Sequence, residues 1–237
     1  VKAVEVLAIA AHPDDVEITC GGLLIRMRDL GYSTGVLDLT RGEMSTRGTP
    51  EIRQQEATRA AGIMGLSIRV NAGLPDSRLA LTDESRETVA RYIRGVRPAL
   101  VILPSPGQRH PDHNAAREIA YAGIFAAGLK MFPASGSAHR PDQILYAAPD
   151  HGQRPTFYID ITDQMDRKLE AVRAYKSQFG EAGQAGTGSV DRDVQSQIMT
   201  SARYHGSRCG VTYAEGYRIN EPILLGDPIK ELRLHSI

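Results

Sequence analysis

Apolar residues along this chain follow two rhythms. Residues 4–11, 35–39, 67–71 and 99–103 are short, nearly continuous apolar runs, as expected of strands buried on both faces. Between them lie amphipathic stretches of helical length, 19–30, 50–65 and 82–96. Pro50 suits a first helical turn, and Gly31 and Gly65 suit helix ends. This alternation predicts an α/β fold, a doubly wound, mainly parallel sheet with helices on both faces. Further on, the pattern predicts a helix from Asn114 to about Leu129, a Pro-, Ser- and Gly-rich loop over 132–141, strands over 144–148 and 156–161, and a helix over 163–175. Residues 180–189, dominated by Gly, Ala, Thr and Ser, read as a mobile loop of the type that acts as a lid, before a helical pattern resumes over 190–204. With no internal repeat and no linker, one domain over residues 1–237 is expected.

Charge and cysteine usage narrow the function classes. Lys plus Arg and Asp plus Glu number 28 each, so no global field draws in nucleic acid or an anionic membrane, and any anion must be recognised by local arginines. No apolar run approaches membrane-spanning length, and the first apolar run has no basic lead; a soluble, cytoplasmic protein is expected. Cys20 and Cys209 are far apart and outside any paired motif, so they read as packing residues.

Two segments carry the chemistry, Ala11-His12-Pro13-Asp14-Asp15 and Arg109-His110-Pro111-Asp112-His113, each just past a predicted strand. In a doubly wound sheet of order 3-2-1-4 the first and fourth strands are neighbours, and their carboxyl ends form the crevice where ligands bind. Taken singly, His12 could be a loop histidine, and Asp15 and Asp112 helix caps. Those separate readings do not explain why three carboxylates and three histidines gather at one crevice. Together the segments offer His12, Asp15 and His113 as ligands for a divalent metal, with Asp14 and His110 to spare. A catalytic zinc typically takes three protein ligands and leaves a position for water. Adjacent carboxylates in a proline-stiffened turn point apart, so one of Asp14 and Asp15 can bind metal while the other serves as general base. Likewise one of His110 and His113 can coordinate, while the other, protonated and paired with Asp112, stabilises an oxyanion. Arg53 and Arg109 read either as solvated arginines or as guanidinium grips on a substrate carboxylate. Glu43 and Arg47 read as rim residues, Glu43 towards the substrate.

These segments, with Arg41-Gly42-Glu43 and Leu74-Pro75-Asp76 in the same order, resemble the LmbE/PIG-L family of metal-dependent N-acetylglucosamine deacetylases across essentially the whole chain. The resemblance implies metal ligation by His12, Asp15 and His113, a general base at Asp14, an oxyanion-stabilising His110, and an arginine at the site in Arg53. It implies Zn2+, with Fe2+, Co2+ or Mn2+ fitting the same donors, and a homo-oligomer, a hexamer. The segments Tyr175 to Phe179 and Gly210 to Gly216 are similar to the branch containing the bacillithiol-pathway deacetylase, which implies a small N-acetylglucosaminyl-malate conjugate as substrate. Val194 and Gln108 stand where some relatives carry tyrosine, so no second oxyanion donor is implied. Other conjugates, namely thiol conjugates, antibiotic sugars or chito-oligosaccharides, fit the same scaffold. A Rossmann-like nucleotide-binding module would need a glycine-rich phosphate loop where this chain has His-Pro-Asp-Asp. A non-catalytic sugar or metal binder would have no use for a spare carboxylate beside the metal.

Overall fold

Side-chain parity along the first strand accounts for the layered architecture. The structure, a computed structural model, describes residues 2–147, 154–179 and 194–227. Its elements run β1 (Val6–Ala10), α1 (Asp15–Thr19), α2 (Gly21–Asp29), β2 (Thr34–Asp38), α3 (Pro50–Met64), β3 (Ile68–Asn71), α4 (Asp83–Val96), β4 (Leu100–Pro104) and α5 (Pro111–Ala127). There follow β5 (Gln143–Ala147), β6 (Phe157–Asp160), α6 (Met165–Arg173), α7 (Lys176–Phe179), α8 (Val194–Ser207) and β7 (Ala214–Arg218). Leu7 and Ile9 of β1 pack with Val101 and Leu103 of β4 against Val89 and Ile93 of α4 and Ile119 of α5. The alternate residues Val6, Ala8 and Ala10 face the other way, with Leu24 of α2, Ala57 and Ala60 of α3 and Ala171 of α6. Strand residues alternate between faces, so a run apolar at every position fills two cores at once. Each fully buried Leu or Ile contributes about 1.5–3 kcal/mol.

The sheet order is β3-β2-β1-β4-β5-β7-β6, which contains the expected 3-2-1-4 arrangement starting from the β3 edge. Pairings from β3 through β5 are parallel. Because β1 and β4 are parallel neighbours, with Val6 opposite Leu100 and Ala8 opposite Ile102, their carboxyl ends lie side by side. Local signals set several helix ends as expected. Thr49 accepts a hydrogen bond from the Ile52 N–H ahead of Pro50, and Gly65 ends α3 at φ 70°. Thr82 and Ser85 form a reciprocal capping box on α4.

Among the elements that were not expected are α1 and β7. The helix expected over 19–30 is present as α2 (Gly21–Asp29), but a separate short helix, α1, precedes it, and the break between them falls at Cys20, whose φ of −139° is not helical. The carboxylate of Glu215 on β7 accepts the N–H groups of Gly22 and Leu23, both at 2.8 Å, and so caps α2 from far along the chain. A β-carbon at residue 22 would stand 2.7 Å from Glu215 Oε1, so this approach requires glycine. The strand β7, antiparallel to β5 and β6, was not expected, since Glu215 and Gly216 interrupt any strand pattern. The segment read as a lid, 180–189, lies outside the described residues, as do the first residues of the helix expected over 190–204. No helix among the described residues is long and apolar enough to cross a membrane.

Packing of α5, which carries the second motif, is unforgiving. A β-carbon at Gly123 would lie 2.5 Å from Val89 Cβ on α4, whereas one at Gly62 on α3 meets nothing within 4 Å. Gly123→Ala should therefore destabilise the fold by about 1–3 kcal/mol through overpacking. Gly62→Ala should stabilise it by about 0.5–1 kcal/mol through helix propensity. Urea unfolding of both variants checks this, and equal effects would show that α4 and α5 do not pack as described.

Candidate active site

The turn after β1 aims two adjacent carboxylates in different directions. Asp14 has φ 115° and ψ −29°, a left-handed conformation unusual for a non-glycine residue and worth about 1–3 kcal/mol of strain. Asp15 then begins α1. Its Oδ2 accepts the His12 backbone N–H at 2.9 Å and lies 3.3 Å from His12 Nδ1, while its Oδ1 lies 3.1 Å from His113 Nε2. One carboxylate thus bridges the imidazole after β1 and the imidazole in the first turn of α5. Beneath it, Glu17 of α1 is fully buried and accepts from Arg69 Nη1 at 2.5 Å and the Tyr175 hydroxyl at 3.0 Å. Arg69 also makes a two-pronged contact with Asp38 at 2.8 and 2.9 Å. This buried network ties α1 to β2, β3 and the segment after α6.

His12 is held on its other edge as well. Its Nε2 lies 3.1 Å from Asp76 Oδ1 and 3.4 Å from Asp112 Oδ2. Asp76 is fixed by the Met44 N–H on Oδ2, and Asp112 by the Ser77 N–H on Oδ2, both at 2.8 Å. Asp76 belongs to a turn that the motif pattern singled out without assigning it a role, and it is the residue sequence reasoning missed. With Nε2 presenting its proton to Asp76, the Nδ1 lone pair of neutral His12 faces Asp15.

The donor set fits a metal. Ligand atoms of His12, Asp15 and His113 all lie within 4.8 Å of one another. Two imidazole nitrogens and one carboxylate oxygen suit Zn2+ and its first-row neighbours, and an outer carboxylate on the ligating histidine is the usual support for such a site. His12, His110 and Asp112 are also close enough. That second set is weaker, because Asp112 Oδ2 and His110 Nδ1 are both engaged by backbone N–H groups.

Charge is concentrated here. Burial would depress His12, but the hydrogen bond and charge of Asp15, with Asp76 and Asp14, lift its pKa to about 9. His113 is also raised, since Asp15 outweighs the effect of burial. Burial opposes ionisation of Asp15, and the hydrogen bonds and charges of His113 and His12 more than reverse it, holding the carboxyl far below its usual range. Burial pushes Asp14 up to about 7, against the pull of Arg53, whose Nη2 donates to Asp14 Oδ2 at 2.5 Å.

Four expected roles change in this geometry. Arg53, expected at a substrate anion, is buried and engaged with Asp14. Glu43, expected towards the substrate, is taken up by the loops, its Oε1 accepting from the Asp76 N–H and its Oε2 from the Arg41 N–H. Asp112 contacts His12 and Ser77, and its charge raises the His110 pKa by less than the opposing effects lower it. His110 is pushed below the usual histidine pKa by burial and by the charges of His113 and His12, which disfavours its protonated form. It remains a donor, because its Nδ1 accepts the Asp112 N–H at 3.2 Å, which leaves the proton of the neutral ring on Nε2. Arg109 stays exposed beside it.

Comparisons with known proteins point to the same chemistry. The family pattern described as PIG-L, GlcNAc-PI de-N-acetylase, matches residues 7–124. Diacetylchitobiose deacetylase of Thermococcus kodakarensis is 32% identical, over 93% of this chain and 85% of the relative. The Bacillus anthracis protein named Probable N-acetyl-alpha-D-glucosaminyl L-malate deacetylase 2 is 28% identical, over 73% of this chain and 81% of its own. Among solved structures, the conserved protein TT1542 of Thermus thermophilus superimposes with a TM-score of 0.86 at 39% identity, covering 94% of this chain and 97% of the other.

The support that Asp76 gives His12 has a measurable consequence. Asp76→Asn should weaken zinc affinity by roughly 10- to 100-fold, the usual effect of losing an outer-shell partner, while Asp14→Asn retains the metal. Competition titration against a chromophoric chelator measures both. Unchanged affinity in Asp76→Asn would show that His12 is not held for coordination.

Proposed function

The chain belongs to the PIG-L family of de-N-acetylases, and on that premise we propose that it is a metal-dependent hydrolase removing the acetyl group from an N-acetylglucosaminyl conjugate, giving acetate and the free amine. The observation that carries this reading is the placement of Asp14. It is a buried carboxylate one residue from the proposed ligand Asp15, with a different partner, Arg53, and among the described residues it is engaged through one oxygen. Zn2+ is the metal we propose, held by His12, Asp15 and His113. Bound there, such an ion supplies Lewis acidity, lowering the pKa of water and polarising the acetamide carbonyl.

The chain's own groups account for the proton movements. Asp14 Oδ1 makes no hydrogen bond among the described residues and takes a proton from the attacking water as its oxygen bonds to the carbonyl carbon. The negative charge that develops on the former carbonyl oxygen is met by the Nε2–H of His110. Asp14 then hands its proton to the sugar nitrogen as the carbon–nitrogen bond breaks. Arg53 lowers the pKa of Asp14, which burial pushes up, and so favours its ionised form. It acts on the reaction through Asp14 and is a positioning residue.

The relatives' names supply two finer substrates, a chitobiose and a malate conjugate. Of the two arginines read as grips on malate, Arg53 has its charge committed to Asp14, and Arg109 is exposed beside His110. With the buried arginine so engaged, we favour a conjugate without negative charge. Acetate release from N,N'-diacetylchitobiose, N-acetylglucosamine and N-acetylglucosaminyl-malate, with and without added Zn2+, tests the reading. Metal-dependent release from at least one of them is expected, and none from any would overturn it.

Asp14→Asn in the zinc-loaded protein should lower kcat by about 10²–10⁴. Near-normal turnover would remove Asp14 from the mechanism. Because Arg53 lowers the pKa of Asp14, a base active only when ionised, Arg53→Ala should move the acid limb of the kcat/KM profile upward by roughly one to three pH units. A profile scaled down without displacement would assign Arg53 to the substrate instead.

A further inference from the structure

A cleft of about 310 Å3 opens from Asp15 and His113 towards α8 and β7, a size within the range of small-molecule sites. One wall is a single face of α8. Val194, Gln197, Ser201 and His205 recur at intervals of three and four residues and all line the cleft. The adjoining stripe, Ile198 and Ala202, packs with Ile161, Met165 and Leu169 and anchors α8; these two residues also border the cleft, while Gln197 and Ser201 bring the helix's polar groups to it.

The chemistry of this wall is selective. Gln197 and Ser201 are exposed, and their side chains make no hydrogen bond among the described residues. Beyond the metal-ligand groups, the charged side chains lining the cleft are Lys168 and Glu215. They bind each other at 2.5 Å and are 3% and 5% exposed, and Glu215 is further engaged by the Gly22 and Leu23 N–H groups and the Tyr217 hydroxyl. His205 is pushed below its usual pKa by burial, so it is neutral near pH 7. A carboxylate entering here would lose water and find no free cation on the described walls. A ring bearing hydroxyls would meet an amide and a hydroxyl that both donate and accept.

We propose that the Gln197–Ser201 face of α8 determines substrate specificity, reading the part of the conjugate beyond the reacting N-acetylglucosamine and selecting an uncharged, hydroxyl-bearing group such as a second sugar ring. This rests on the deacetylase reading above for the orientation of the substrate, with the acetamide at His12, Asp15 and His113 and the remainder along α8.

Binding separates the two claims. Calorimetric titration of the zinc-loaded Asp14→Asn protein, in which the substrate stays intact, should give a Kd for N,N'-diacetylchitobiose about tenfold below that for N-acetylglucosamine, the worth of one or two neutral hydrogen bonds. Adding Gln197→Ala and Ser201→Ala should abolish that difference and leave the monosaccharide within about twofold. Both positions are exposed on a helix, where alanine is favourable, and an unchanged melting temperature confirms the fold. Failure to bind either sugar, equal weakening of both, or tighter binding of N-acetylglucosaminyl-malate than of the disaccharide overturns the proposal. If the disaccharide preference is present and is lost on substitution while the wild type releases acetate from neither sugar, the deacetylase reading fails and the specificity wall stands.

Discussion

Everything at this site answers to one electrostatic constraint: Asp14, Asp15, Asp76 and Asp112 are gathered, largely out of water, at the carboxyl ends of two adjacent parallel strands. Buried carboxylates persist only with compensating charge and hydrogen bonds. Arg53 compensates Asp14, and backbone N–H groups hold Asp76 and Asp112. Asp15 is left to His12 and His113, both of whose pKa values are raised in response. The free site therefore favours protonated imidazoles, His12 with a pKa of about 9 most of all. A divalent cation accepted by His12, Asp15 and His113 displaces those protons, so part of its charge replaces theirs, which suits this donor set to a dication.

The scaffold keeps that charge in place through contacts far apart in sequence. The strained backbone of Asp14 is tolerable because both flanks are pinned: β1 is buried in two cores, and α1 is held through Glu17 by Arg69 and Tyr175. The short α1 can end at Thr19 because α2 is capped by Glu215 from β7. Lys168 neutralises Glu215, so the same ion pair that completes α2 also removes free charge from the cleft beside the proposed metal ligands. Structural support and the charge balance of the cleft thus share a side chain.

How much of this the sequence makes legible depends on whether the cause is local. Strands buried on both faces are continuous apolar runs, so the central sheet and its order follow from periodicity, and the meeting of His12 with His113 follows from that order. Helix ends set by Thr49, Pro50 and Gly65 are equally local. The division of α1 from α2, the strand β7 and the partner of Arg53 depend on contacts 39 to 193 residues away, which no short-range pattern encodes. A lone arginine on an amphipathic helix looks alike whether it grips a substrate or a neighbouring aspartate. The tautomer of His110 is hidden for a similar reason, since it is fixed by a backbone N–H that exists only once α5 has begun.

The exchange of protons for metal is the claim on which the account turns, and it can be counted. Calorimetric titration of Zn2+ into the metal-free protein at pH 7, repeated in buffers of different ionisation enthalpy, gives the number of protons released per ion bound. His12, with a pKa of about 9, and His113, also raised, should together release between about one and two protons, with affinity rising as pH increases. Binding of Zn2+ without proton release would contradict the account, because it would place the ion somewhere other than between these imidazoles and Asp15.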